Sequence, residues 1–263
     1  MDVTTKASIN LHAVLRNMQE LCIFDETAAQ VVKDKKITVG FSVKGCEPMA
    51  LAFDNGTCKY LRGEALQGDE MKGALKLSFS SPEKFNKLVN GEKVIPGFNL
   101  LGVTKLGFAT KEFGVLSDRL AYYLQPKPEE VAELLKDKAY FETQTTLLAY
   151  TAFHALAEIG NYDPIGKEVA KRMGESKISI EVENGPAITI SSDKNAHMSA
   201  KIGKEMNPKA RMVFKNLKVV NDVLNGKTGA FSAMGAGLFN ISGNIHVLDE
   251  MNRLLSLVSK YLA

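Results

Sequence analysis

The sequence predicts an α+β protein made of two tandem copies of one unit. Each copy is expected to be an antiparallel sheet of about five strands, covered on one face by helices. Three observations predict this. FNKLVNG at 85–91 is answered by VNDVLNG at 220–226, an offset of 135 residues from Phe85 to Val220. Upstream of each, short segments alternate apolar and polar residues, the period of a half-buried strand. Downstream of each, apolar residues recur at the spacing of a helix face. The copies are expected at 1–126 and 127–263. Their boundary falls in QPKPEE (125–130), where two prolines interrupt the pattern.

The elements follow in matching order. DETAAQVVKDKK (25–36) and DPIGKEVAKRMGESK (163–177) read as helical lead-ins. KITVGFSV (36–43) places Ile37, Val39, Phe41 and Val43 on one face, and KISIEV (177–182) does the same with Ile178, Ile180 and Val182. PMALAF (48–53) and PAITI (186–190) come next, then TCKYLRG (57–63) and AHMSAKIG (196–203), in a meander-like order. Turn residues separate the last two of each set: Asp54-Asn55-Gly56 and Asp193-Lys194-Asn195. GALKLSF (73–79) alternates Leu75, Leu77 and Phe79, matched at the same offset by Ala210, Met212 and Phe214.

A short helix then begins in each copy. Ser80 or Ser81 serves as cap in the first, Ser80 with Glu83 completes a capping box, and Pro82 suits the first turn. Asn216 takes the cap position in the second. Asn90-Gly91 and Asn225-Gly226 end these helices, because glycine suits the left-handed residue beyond the last turn. Apolar, glycine-rich links follow at 94–108 and 230–241, with fifth strands expected near Lys105–Thr110 and Leu238–Ser242. FGVLSDRLAYYL (113–124) and IHVLDEMNRLLSLVSKYL (245–262) close the copies as amphipathic helices. One further apolar helix, 139–160, is expected to be buried between the copies.

Bulk properties exclude several classes. A chain of 263 residues, 45% hydrophobic and 24% charged, can bury a core of ordinary size. Its formal charge of +3 is too weak to argue for nucleic acid or an anionic membrane. No apolar run reaches the ~18–20 residues that span a bilayer, and MDVTTKASIN lacks the apolar core of a secretion signal. Three cysteines without a C-x-x-C favour a reducing, cytoplasmic setting. His12, His154, His197 and His246 are scattered, so no metal and no cofactor is expected. His154 reads as a buried core histidine, and Cys46 and Cys58 as packing residues. Glu64, Asp69 and Glu70 read as a solvated loop.

Three apparent motifs fail on context. Gly226-Lys227-Thr228 lacks the phosphate-loop glycine at 221, which is Asn, and follows a helix rather than a strand. GAGLFN (235–240) lacks the third glycine of a dinucleotide fingerprint. Ser232 in GAFSAMG is not in a nucleophile elbow.

The second copy resembles the sterol carrier protein lipid-binding domain. The resemblance is carried by Val220, Val223, Asn225-Gly226-Lys227, Ala230-Phe231 and Ile241-Ser242-Gly243-Asn244, running into Leu248, Met251 and Leu254-Leu255. It covers about 178–262 closely and about 37–124 more loosely. The first copy has Lys111 in place of Gly243 and VIPGFNLL in place of TGAFSAMG, which implies a site that has drifted or closed.

The resemblance implies a cavity between sheet and helices for a fatty-acyl chain, acyl-CoA, sterol or similar apolar ligand, and it brings no catalytic residue. Candidate lining residues are Val220, Val223, Leu224, Phe231, Met234, Leu238, Ile241, Met251, Leu254 and Leu255 in the second copy. In the first they are Phe85, Leu88, Val89, Phe98 and Leu101. The function so implied is non-enzymatic lipid binding or transfer, with an apolar small molecule or lipid as partner and transient membrane contact. The residues leave two alternatives open: a scaffold built as an internal pseudo-dimer with filled cavities, or an enzyme or accessory subunit acting on an acyl substrate. Oligomeric state is left open.

Overall fold

The computed structural model describes residues 1–262, apart from the side chains of Leu101, Ala230 and Phe231. The chain divides into two compact units. The first is Lys6–Thr143; the second is Met1–Thr5 together with Gln144–Ala263.

The first unit begins with a helical run, which the sequence reading passed over. A π-helical turn at Asn10–Val14 and a 3-10 turn at Leu15–Asn17 lead into the Met18–Phe24 helix. The Glu26–Val31 helix follows, capped by Asp25, whose carboxylate accepts the Ala28 amide. The sheet comprises β1 (Lys36–Val43), β2 (Met49–Asp54), β3 (Thr57–Arg62), β4 (Leu75–Phe79) and β5 (Gly97–Phe98). Its order is β3-β2-β1-β4-β5.

The five-strand count and the α+β class match expectation, but the pairing is mixed rather than purely antiparallel. β1 lies antiparallel to β2 and parallel to β4, with Val39 opposite Leu75 and Phe41 opposite Leu77. The chain from β3 to β4 (Gly63–Ala74) crosses the sheet, and such a non-local return leaves no local sequence signal. It passes through 3-10 turns at Gly63–Gln67 and Asp69–Met71, and the Met71 methyl rests on Gly40 of β1.

The fifth strand is also displaced from its expected place. Residues Leu106–Thr110 form a helix, and the pairing partner of β4 is the two-residue β5 instead. Pro96 lacks the amide that a longer strand needs at this position. The Pro82–Val89 helix is capped by Ser81 rather than Ser80, its hydroxyl accepting the Lys84 amide. Gly91 ends that helix at φ 83°, where a β-carbon is disfavoured. The Glu112–Leu124 helix closes the unit.

The second unit repeats the order. From Gln144 onward the Lys138–Tyr162 helix belongs to this unit and is largely buried. The Pro164–Met173 helix follows, capped by Asp163. The strands are β6 (Ser176–Val182), β7 (Ala187–Ser192), β8 (Met198–Ile202), β9 (Ala210–Phe214) and β10 (Phe239–Gly243), in the order β10-β9-β6-β7-β8. β6 is parallel to β9, as β1 is to β4. The Leu217–Leu224 helix is capped by Asn216 as expected, and Gly226 follows it at φ 69°. The Ala230–Gly235 helix precedes β10, and Ile245–Leu262 closes the unit.

On the helix-covered faces the alternating residues are buried: Val39, Phe41 and Val43 in β1, and Ile178, Ile180 and Val182 in β6. The opposite face of the second sheet is polar. Glu181 sits there among Ser179 (2.8 Å), Lys204 (3.1 Å) and Arg211 (3.3 Å).

Candidate functional site

Each unit has an apolar void between its sheet and its last helix. In the first unit the void measures about 130 Å³. Val14, Leu15 and Met18 line it from the N-terminal helical run, and Phe41 from β1. Phe85, Leu88 and Val89 contribute from the Pro82–Val89 helix. Phe113, Ser117, Leu120, Ala121 and Leu124 complete it from the last helix, with Gln125 just beyond that helix's end. Ser117 and Gln125 are its polar members, and the Ser117 hydroxyl is engaged with the Phe113 carbonyl at 2.8 Å.

In the second unit the void measures about 230 Å³. Met212 of β9, Phe239 and Ile241 of β10, and Met234 of the Ala230–Gly235 helix form one side. Ile245, Leu248, Asp249 and Asn252 of the last helix form the other. Ile245 is 82% exposed and Ile241 41%, whereas Phe239 and Leu248 are buried, so the void runs from solvent into the core. Asp249 at the rim is ion-paired with Arg253 at 3.1 Å.

The last helix of each unit is fixed by the same pair of side chains. In the first unit the Tyr123 hydroxyl donates to Asp25 at 2.8 Å, and Arg119 also pairs with that carboxylate. In the second the Tyr261 hydroxyl donates to Asp163 at 2.5 Å. Burial alone would raise the Asp25 pKa. The Arg119 guanidinium, the Ala28 amide and the Tyr123 hydroxyl outweigh it and hold the carboxyl below its usual range. Burial, reinforced by the bond to Asp25, pushes the Tyr123 hydroxyl well up, and the Tyr261 hydroxyl is raised for the same reasons.

A second matched pair fixes the short helices. Asn10 donates to Asn86 at 3.0 Å in the first unit. Asn221, at an offset of 135 from Asn86, donates to Gln144 (3.0 Å) and Thr145 (2.9 Å) in the second. None of these bonds was foreseen from the residues. The signal was present as an Asp–Tyr pair at a separation of 98 residues in each unit.

The expected lining residues divide into three groups. Phe85, Leu88 and Val89 meet at the first void, and Met234 and Ile241 at the second. Val220, Met251 and Leu254 are fully buried in the core and do not line the void. Val223, Leu224, Leu238 and Leu255 are half-buried and line neither void, and Phe98 is 50% exposed. The side chains of Phe231 and Leu101 lie outside the described residues. Residues not anticipated at the voids include Phe113 and Leu120 in the first, and Met212, Phe239, Ile245 and Leu248 in the second.

Other candidates have structural surroundings. Cys58 is buried, and its thiol pKa is pushed well up, first by that burial and then by its bond with Cys22; such a thiol is a poor nucleophile. His154 is buried in the Lys138–Tyr162 helix. A concavity of about 650 Å³ on the second unit is lined by Lys177, Lys209, Glu205 and four serines. This composition does not suit an apolar ligand. Among the described residues, no group of three or more His, Cys, Asp and Glu is placed to hold a metal ion. Likewise, no helix is long and apolar enough to cross a membrane.

No family model matches the chain, and no curated protein does. Solved structures do. Sterol carrier protein domain 2 of Helicoverpa armigera is similar at 16% identity, over 43% of this chain and 89% of that one, with a TM-score of 0.36. Sterol carrier protein 2 of Yarrowia lipolytica in its apo form is similar at 13% identity, over 45% of this chain and 89% of that one, with a TM-score of 0.29. A stereoselective inverting sec-alkylsulfatase of Pseudomonas sp. is similar at 10% identity, over 59% of this chain and 28% of that one, with a TM-score of 0.28. The chain is thus similar to sterol carrier domains, the same kind of domain that Ile241-Ser242-Gly243-Asn244 and its flanking apolar residues resemble.

Proposed function

We propose that the chain binds lipids without chemically altering them, and transfers them, using an apolar cavity in each of two related domains. The domains descend from one duplicated unit, repeated over about 1–126 and 127–263, and the change from one compact unit to the next falls further along, at Thr143–Gln144. The observation that carries this is the second void. Met234, Ile241 and Leu248 lie within the stretch that resembles a sterol carrier domain, and they line a space that opens to solvent at Ile245. An apolar cavity with a few polar groups at its rim suits a long hydrocarbon tail with a polar head.

The energetics favour such a ligand. Each buried methylene contributes about 0.8 kcal/mol, so a ten-carbon tail supplies roughly 8 kcal/mol before association costs of several kcal/mol. Voids of about 130 Å³ and 230 Å³ are smaller than a typical small-molecule pocket of about 300–1,000 Å³. Loading therefore requires side chains at the void to move. Met234 and Leu88 are half-buried and flexible, and fit that role. No catalytic residue is part of this function.

Titration with a fluorescent fatty acid tests it. The protein should take up the probe at micromolar concentration. Met234→Trp, which fills the second void, should lower uptake at least about tenfold at that site, since losing two buried methylenes' worth of contact already costs about 1.6 kcal/mol. Leu88→Trp should do the same at the first. A protein that takes up no probe, or a double variant that binds as well as the parent, contradicts the proposal.

A further inference from the structure

The net charge of +3 conceals a strong local asymmetry. Seven of the 33 basic residues and two of the 30 acidic ones lie between Lys72 and Lys111, so this segment carries +5 and the rest of the chain −2. Within the same segment stand four of the largest exposed apolar side chains of the first unit. Ile95 is 92% exposed, Leu100 89%, Phe98 50% and Val103 43%. From Lys93 to Lys111 there is no acidic residue at all.

The fold holds this apolar loop in place and gathers lysines beside it. Asn99 anchors the loop to the edge of the sheet, its carboxamide oxygen accepting the Lys76 amide at 2.7 Å and its nitrogen donating to the Ala74 carbonyl at 3.1 Å. β5 pairs Gly97 with Ser78 and Phe98 with Leu77. Lys105 donates to the Gly73 carbonyl, beside Lys72. Lys72 is matched by Asp69 at 2.7 Å, and Lys87 stands 4.0 Å from Glu92. Among the described residues, Lys76, Lys84, Lys93 and Lys111 make no ion pair.

We infer that the 94–103 loop is a membrane-docking surface that enters the interface of an anionic bilayer, with the surrounding lysines held at the headgroups. The argument is charge complementarity joined to apolar exposure. Exposed apolar side chains gain by leaving water, and clustered lysines are drawn to anionic lipid. A neutral apolar partner would leave these lysines unmatched. The whole-chain charge, too weak to argue for an anionic membrane, misses this because acidic residues elsewhere cancel it. The inference stands apart from cavity loading: a protein with filled cavities would still dock.

Co-sedimentation of the full chain with vesicles tests it, using phosphatidylcholine alone and phosphatidylcholine with phosphatidylserine. The protein should partition onto the phosphatidylserine vesicles and not onto the neutral ones. Partition should collapse as salt rises from about 0.1 M to about 1 M, where screening shortens from about 10 Å to about 3 Å. Ile95→Asp with Leu100→Asp should weaken partition at least about tenfold, and Lys76→Glu with Lys93→Glu by a similar factor. These positions are exposed, so thermal unfolding and fatty-acid uptake, measured in parallel, should be unchanged. The chain has no tryptophan, so Leu100→Trp adds a single indole that can be excited apart from the seven tyrosines, and its spectrum should shift to the blue on vesicle binding. Equal partition onto both vesicle types, no partition onto either, or variants that bind as well as the parent would overturn the inference.

Discussion

The two units share a topology and differ in where their voids lie and how large they are. In the first, Val14, Leu15 and Met18 and the Pro82–Val89 helix lie over the void, and Phe85 and Leu120 are buried at its wall. In the second, exposed Ile245 and Ile241 stand at the rim of a larger void. At an offset of 135, Phe85 in the first unit corresponds to Val220 in the second, and both are fully buried. The Phe85 ring meets Phe79 edge-on, with centroids 5.0 Å apart, and lines the first void, whereas Val220 lines no part of the second. The difference teaches that one topology can leave its void under the short helix in one unit and beside the fifth strand in the other.

Replacing that matched pair gives the largest expected effect. Phe85→Ala should cost the first unit about 3–5 kcal/mol and enlarge its void, while Val220→Ala should cost the second about 2 kcal/mol. Hydrogen exchange of the sheet amides in each unit reads the two losses separately, which a single unfolding midpoint in a two-unit chain does not. Equal losses would break the comparison.

The matched Asp–Tyr pairs come next. Asp25→Ala removes a helix cap and leaves Arg119 without its carboxylate, at a cost of about 3 kcal/mol. Asp163→Ala removes a cap and the Tyr261 bond without stranding a charge, and should cost about 2 kcal/mol. pH sharpens the contrast. The depressed pKa of Asp25 means its contribution is fully present above the unfolded value of about 3.9 and drains as pH falls through the lower folded value. Asp25→Asn should therefore flatten the acid-side loss of first-unit protection. An unchanged acid profile would show that other carboxylates dominate. Tyr123→Phe and Tyr261→Phe should have the smallest effect, about 1 kcal/mol each.

Legibility from sequence followed the physics of each element. Strands with strict alternation, such as Ile37-Val39-Phe41-Val43, were readable because one face carries large apolar side chains and the other carries Lys36, Thr38, Gly40 and Ser42. The caps at Ser81 and Asn216 were readable to within a residue, since capping needs a specific side-chain oxygen. The run from Val3 to Phe24 was missed. Its π and 3-10 turns at 10–17 interrupt the 3.6-residue spacing by which a helix is recognised. β5 was misplaced because two residues carry no alternation. The parallel β1–β4 and β6–β9 pairs depend on a chain crossing that no local pattern encodes.

The candidate site was half legible. The apolar stripe of Ile245–Leu262 marks the last helix as packed on the sheet but does not tell which part of it borders the void. Met251 and Leu254 pack solidly, while Ile245 and Leu248 border the void. Stripe spacing reports burial, and a ligand cavity is the place where burial is incomplete.

The most direct test of the central claim is native mass spectrometry of freshly purified protein, followed by solvent extraction and identification of what is released. The account predicts a lipid with a long apolar tail, at one or two copies per chain, whose occupancy falls in Met234→Trp. A protein that carries nothing and takes up no added fatty acid would contradict it.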